Sequence, residues 1–306
     1  MTNDLDELFI SKDSNSIKSF LDSFTSVEDI IKWSRNRPRA QTNIHVIDGD
    51  PGVAVVIPTA DIKGKYANEA RKIFDGLSIV FVESRGQYFN FAHSVNMGIR
   101  EALKLDPEWI VVSNDDMVMI DKSDVLVREL EKVKGVEVVF TPQSDYHSIP
   151  VYVCKLISHM LYSVYAGISY NPLELRYIFY LSNIRRRFGI RYDIIGDIGK
   201  IGIEKKLKLT CRKIYKIVNG ASFNVFSSSF VKKIGAELLD ETYINGHEDV
   251  DLYFRIFYQI KPKFGEINYK IGDIIRGSLE RDLVISLKND IINLSYFNYK
   301  FHTLLK

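Results

Sequence analysis

Two acidic clusters in this chain have residue types and spacing suited to chemistry. Asn114-Asp115-Asp116 stands between Val111-Val112 and Met117-Val118-Met119-Ile120, so two adjacent carboxylates are held in an apolar setting. Burial penalises such charges unless something compensates them. A hard divalent cation would do so: Mg2+ and Mn2+ prefer oxygen ligands and are commonly shared between one or two carboxylates and the phosphates of a substrate. The competing reading is a turn or helix cap before Asp121. The second cluster is His247-Glu248-Asp249-Val250-Asp251, directly before Leu252-Tyr253-Phe254-Arg255-Ile256. On a helix, Glu248 and Asp251 share a face, Asp251 and Arg255 stand at i and i+4, and Asp249 points elsewhere. Acidic residues in a first helical turn are favoured by the helix dipole whatever the function, so this cluster alone reads as an ordinary helix start.

The elements that must position these acids follow from the apolar patterning. Residues 53–57 form a continuous β-branched run ending at Pro58, as in a parallel strand covered on both faces, and residues 77–82 and 109–113 repeat the signal. Helical patterns at 67–74 and 92–105 lie between them, the latter with Val95, Ile99, Ala102 and Leu103 in one stripe. Alternating strands and helices predict an α/β fold: a doubly wound, Rossmann-like mixed sheet with helices on both faces. Ligands of such sheets sit beyond the carboxyl ends of the strands. Three polar sets occupy those ends: Pro58-Thr59-Ala60-Asp61, Glu83-Ser84-Arg85-Gly86 and Asn114-Asp115-Asp116. Further on, the pattern predicts a helix over 124–134 closed by Gly135, strands over 136–140 and 217–226, a short helix over 230–234 ending at Gly235, and a helix over 249–258.

An N-terminal helical extension is expected over residues 1–45, where Ser26 precedes a carboxylate, Asp29, by three positions and Arg37-Pro38 ends the pattern. The α/β domain is expected over 50–265, with a basic and aromatic insertion at about 151–216, followed by a C-terminal helical extension over 266–306. The chain has 306 residues, 46% hydrophobic and 26% charged, enough for a substantial core and unlike a disordered chain. Its 41 Lys and Arg against 39 Asp and Glu give no global case for nucleic-acid binding. Cys154 and Cys211 have no metal-site spacing and are too few for a disulfide scaffold, which points to a reducing interior. Asp4, Asp6 and Glu7 are unlike the start of a secretory signal, and the uncharged run 156–173 carries His159, Asn171 and Pro172, unlike a membrane span. A cytoplasmic location is expected. Arg185-Arg186-Arg187 and the neighbouring aromatics suit either a packed insertion with solvated cations or a peripheral contact at the inner membrane face.

Five blocks, taken in order, carry a resemblance. They are Val55-Val56-Ile57-Pro58-Thr59; Asn90-Phe91-Ala92-His93-Ser94-Val95-Asn96-Met97-Gly98-Ile99; Val111-Val112-Ser113-Asn114-Asp115-Asp116; Asn219-Gly220-Ala221-Ser222-Phe223; and Tyr243 through Leu252 with Arg255. Together they resemble the family 2 glycosyltransferases, enzymes with the GT-A fold, over about residues 52–264. The resemblance implies transfer of a sugar from a nucleoside-diphosphate sugar to the hydroxyl of a saccharide or lipid-linked acceptor, with inversion. It implies Asp249 as catalytic base supported by Glu248 and Asp251, and Asp116 as ligand of Mn2+ or Mg2+ with Asp115 beside it. Pro58, Thr59, Asp61, Glu83, Asn90, Asn96, Asn114, Asp115, Gly220, Ala221 and Arg255 become nucleotide-sugar contacts. Arg255 can equally pair with Asp251, and the small Gly220-Ala221 pair suits either a ligand floor or close strand packing. Asn114 stands where the family's metal motif begins with Asp. The family's usual histidine is not evident near Gly277-Ser278. Two rival readings are a nucleotidyltransferase, which would need a Gly-rich basic loop after the first strand, and a non-catalytic sugar-nucleotide-binding protein.

Overall fold

The computed structural model describes residues 2–142, 144, 151–165, 172–196, 211–215, 222–274 and 282–305. The chain opens with helices α1 (Thr2–Ile10), α2 (Asn15–Asp22) and α3 (Val27–Asn36). Ser26 caps α3 reciprocally: its hydroxyl accepts from the Asp29 N–H, and the Asp29 carboxylate accepts from the Ser26 N–H. The helix stops where Arg37 turns extended ahead of Pro38, whose ring disfavours a helical predecessor. Next come β1 (Asn43–Ile47), β2 (Asp50–Thr59), α4 (Lys65–Ile73), β3 (Leu77–Glu83), α5 (Phe91–Ala102), β4 (Trp109–Ser113), β5 (Met117–Met119), α6 (Ser123–Leu130) and β6 (Val138–Phe140). The middle holds β7 (Val151–Lys155), α7 (Leu156–Tyr165), α8 (Pro172–Arg187), β8 (Tyr192–Gly196) and β9 (Cys211–Tyr215). The remainder is β10 (Phe223–Ser227), α9 (Ser228–Ile234), α10 (Glu248–Arg255), β11 (Phe264–Glu266), β12 (Ile271–Asp273), α11 (Leu283–Lys300) and α12 (His302–Leu305).

Seven strands form a mixed α/β sheet in the order β1-β3-β2-β4-β10-β6-β11. β3, β2 and β4 run parallel, β1 and β10 run against their neighbours, and β11 runs parallel to β6. The alternation along β2 accounts for its unbroken apolar run. Val53, Val55 and Ile57 pack in one core with Ala67, Ala70 and Ile73 of α4 and Leu126 of α6, whereas Ala54 and Val56 pack in another with Val95 and Ile99 of α5. Gly98 lets α5 lie close to the sheet, because a Cβ there would overlap Val56 and Val82. A third core joins Phe9, Phe20 and Trp33 of the N-terminal helices to Leu181 and Ile184 of α8 and Leu287 and Ile291 of α11.

Several expected boundaries fall inside elements. Residue 45 lies within β1, residue 265 lies within β11, and β12 pairs with β5, so the segment after 265 is not purely helical. The strand expected over 217–226 is observed as β10, with 216–221 outside the described residues, and the helix expected over 249–258 ends at Arg255 in a π-helical turn over Ile256–Ile260. The largest correction concerns the cysteines. Antiparallel β7 and β9 place Cys154 opposite Cys211, with Cα atoms 4.2 Å apart, and the two form a disulfide. Disulfides are rare in reducing compartments of mesophiles, so this pairing removes the ground for expecting a reducing interior. Among the described residues no helix is long and apolar enough to cross a membrane.

Candidate functional site

The carboxyl ends of β2, β3 and β4 bring the first two polar sets together with the third. Thr59 stands opposite Glu83 in the parallel register. Its hydroxyl donates to Asp115 Oδ2 at 2.6 Å, which ties the end of β2 to the segment after β4. Glu83 accepts the Ile62 N–H at 3.2 Å through Oε1, and its Oε2 lies 3.4 Å from His45 Nε2. Asp61 is exposed and accepts the Lys63 N–H at 2.9 Å, folding the loop after β2 into a turn. Pro58 is buried beneath this loop and offers backbone only.

Asn114-Asp115-Asp116 spans the gap between β4 and β5. The Asn114 N–H donates to Ser222 O at 2.8 Å, and its amide reaches Ser222 Oγ at 3.5 Å. Ser222 in turn donates to Asp273 Oδ2 at 3.4 Å, and the Ile274 N–H donates to Asp116 O at 3.1 Å. Asp115 and Asp116 are both buried. Burial pushes the Asp115 carboxyl up to about 6, with the Asp116 charge adding to the effect and the Thr59 hydroxyl opposing it. Sequence reasoning missed Asp273, which arrives through β12 pairing with β5, where it faces Met117. Its only local signal is a carboxylate at the end of a very short apolar run.

Among the described residues no group of three or more His, Cys, Asp or Glu side chains is arranged to hold a metal ion. A self-sufficient protein cage is therefore not what these residues offer. Mg2+ and Mn2+ need only one or two carboxylates when substrate phosphates complete the shell, and Asp116 beside Asp115 fits that smaller demand.

The second cluster lies at the start of α10. Asn245 and His247 take left-handed backbone conformations, and the Gly246 N–H donates to Glu248 Oε2 at 2.6 Å, so buried Glu248 fastens the turn into the helix. Asp251 is fully buried. It receives Arg255 Nε at 2.7 Å, Lys300 Nζ at 2.6 Å and the Tyr243 hydroxyl at 3.1 Å. Arg255 also donates to Leu238 O at 2.6 Å, so the pairing with Asp251 expected at i and i+4 is present. Asp249 occupies the other face of α10, half-buried, lining a cleft of about 10 Å3 with Phe91, Val112, Asn224 and Leu252. That volume holds about one water. Asn224 stands opposite Val112 in the sheet, two residues before Asn114, and its side-chain oxygen accepts the Tyr253 hydroxyl. Burial and the Asp249 charge both raise the pKa of that hydroxyl.

Asn90 and Asn96, expected as nucleotide-sugar contacts, have another task. Asn90 caps α5 by accepting the His93 N–H at 2.8 Å and donates to Tyr243 O at 2.8 Å. Asn96 is fully buried, donates to Leu239 O at 2.8 Å and accepts the Leu239 N–H at 3.1 Å. Both side chains hold the loop that leads into α10. Gly220 and Ala221 lie outside the described residues.

No family model matches the chain, and no curated protein matches it. Among solved structures, A197 from STIV is 12% identical over 72% of this chain and 85% of that one, with a TM-score of 0.37, a likeness that carries no argument.

Proposed function

We propose that the protein is an inverting glycosyltransferase of the GT-A type, moving a sugar from a nucleoside-diphosphate sugar to the hydroxyl of a saccharide or lipid-linked acceptor. One observation carries the reading: α10 sets Asp249 beside Val112 near the end of β4, the strand that runs on into Asn114-Asp115-Asp116. Two acidic groups far apart in sequence are thus disposed about one strand end, where α/β sheets take their ligands. Thr59, Glu83 and Asn114 supply polar groups for the nucleotide. Mn2+ or Mg2+ held by Asp116 would, when bound, supply positive charge against the diphosphate. Asp249 accepts the acceptor's hydroxyl proton as that oxygen bonds to the anomeric carbon. The bond from that carbon to the phosphate oxygen breaks, its electron pair leaving on the nucleoside diphosphate, so the configuration inverts. Glu248 and Asp251 act on the helix and not on substrate. The loop after β2, closed by Asp61 and Glu83, is not a Gly-rich basic cradle, which disfavours a nucleotidyltransferase.

The test is a panel of nucleoside-diphosphate sugars with Mn2+, reading nucleoside-diphosphate release and donor affinity. Asp249→Asn should lower kcat by about 10²–10⁴-fold, the usual share of a general base, with donor Kd nearly unchanged. Turnover at the wild-type rate in that variant removes Asp249 from the role. Donor binding by the wild type with no turnover on any acceptor leaves a sugar-nucleotide-binding protein instead.

A further inference from the structure

Helix α10 has a second working face. Arg255 follows Asp249 by six residues, about 240° around the helix, and looks onto a separate cavity of about 490 Å3. Three parts of the chain meet there: the end of α3 and the residues after it, the loop over 237–242, and the last turns of α11. The carboxylates on its wall are already engaged. Asp240 is held at about 2, against its burial, by Lys300 Nζ and the Tyr296 hydroxyl, each at 2.7 Å. Glu241 receives His93 Nδ1 at 2.8 Å and Asn96 Nδ2 at 3.0 Å, and Glu237 pairs with Arg100 at 3.2 Å. Most of the cations are engaged as well: Arg255 and Lys300 on Asp251, and Arg37 on Asp6 at 3.2 Å.

Arg35 and Arg39 are the exceptions. Both terminal nitrogens of Arg39 donate to carbonyls, those of Arg37 and Glu241 at 2.7 Å, Ser34 at 3.3 Å and Pro38 at 3.5 Å, which hold the side chain in place but carry no charge to offset its own. Among the described residues Arg35 donates only to the hydroxyls of Thr242 and Tyr296, both at 3.5 Å, and lies over the Tyr296 ring. Among the described residues neither guanidinium has a carboxylate within ion-pair distance. The fork of Arg35, the second positive charge of Arg39 and the Thr242 hydroxyl face one space and suit an oxyanion, which a guanidinium binds through paired hydrogen bonds. The volume lies in the range of small-molecule pockets and far exceeds that of a single ion with its waters. We propose that this cavity binds a phosphate group between Arg35 and Arg39, with the Thr242 hydroxyl as a further donor and room for an organic moiety beyond it. The inference does not rest on the glycosyltransferase reading, because the cavity lies across α10 from Asp249.

Calorimetric titration of the full chain, without divalent cations and at fixed ionic strength, tests it with inorganic phosphate and a hexose 6-phosphate, against chloride as control. Saturable binding of one phosphate per chain is expected, with a rise in Tm that chloride does not give. Arg35→Gln, at an exposed position, should weaken binding by about tenfold or more, the size of one lost charged hydrogen bond. Arg39→Gln should weaken it by removing the second positive charge, while Asp249→Asn should leave it unchanged. Tighter binding of the hexose phosphate assigns the site to a phosphomonoester, and equal binding assigns it to free phosphate. Binding that survives Arg35→Gln and Arg39→Gln intact, or that matches chloride, overturns the proposal.

Discussion

Asp115 is an acid kept where its charge is costly. Buried beside Asp116, with one hydroxyl donated from Thr59, its carboxyl titrates near 6 in the native state against 3.8 as its ordinary value. Between those two pH values the folded chain holds more protons than the unfolded one, so stability falls as pH rises through that window. At pH 7 the whole penalty is present. Asp115→Asn keeps an oxygen to accept from Thr59 and removes the charge. It should raise stability at pH 7 by about 1–3 kcal/mol and flatten the slope between pH 4 and 6. Urea denaturation at a series of pH values checks this, and an unchanged slope would assign the titration to another group. The same variant should weaken binding of the donor diphosphate with Mn2+, which tolerates such a penalty only when a cation offsets it.

At the scale of elements, what was legible in the sequence depended on whether the signal was local. β2, β3 and β4 are read from β-branched runs because both faces of each are covered, and the polar residues at their ends follow from the strand boundaries. The i, i+4 pair Asp251–Arg255 is local too, though only the structure decides that Arg255 stays with it. β1 is an edge strand of mixed exposure, with Asn43 at its start and His45 in its middle, so its pattern resembles a loop. Asn90 and Asn96 have loop partners more than a hundred residues away, which no helical periodicity reveals. Asp273 and the Cys154–Cys211 pair likewise depend on strand register. The disulfide closes a loop of 57 residues around the β8-β7-β9 sheet. Reducing it, or replacing Cys154 by Ser, should cost about 2–4 kcal/mol through the freedom returned to the unfolded chain. A urea midpoint that does not move with reductant would show the thiols unpaired in solution.

Across the whole molecule, α11 is the strut that connects its ends. One end of the helix carries Lys300 into the arginine-lined cavity and onto Asp251 of α10. Twelve residues earlier, about 18 Å along the axis, Lys288 is fully buried against the N-terminal helices. Its Nζ donates to Leu8 O at 2.6 Å, Ser11 O at 2.8 Å and Ser16 Oγ at 3.1 Å, closing the turn between α1 and α2 over the rings of Phe9 and Phe20. Burial pulls its pKa down to about 8 from 10.5, with Asp282 opposing weakly. Above pH 8 the folded chain therefore holds fewer protons than the unfolded one, and stability gains from this group as pH rises toward 10.5. Lys288→Met removes the charge penalty but leaves two carbonyls without their donor, a loss of about 1–3 kcal/mol at pH 7. The gap between wild type and variant should then widen from pH 8 to pH 10, because only the wild type has the titrating group. Urea denaturation at pH 7, 8, 9 and 10 reads this directly. A gap that stays constant would mean that Lys288 keeps its ordinary pKa and joins the two ends of the chain by hydrogen bonding alone.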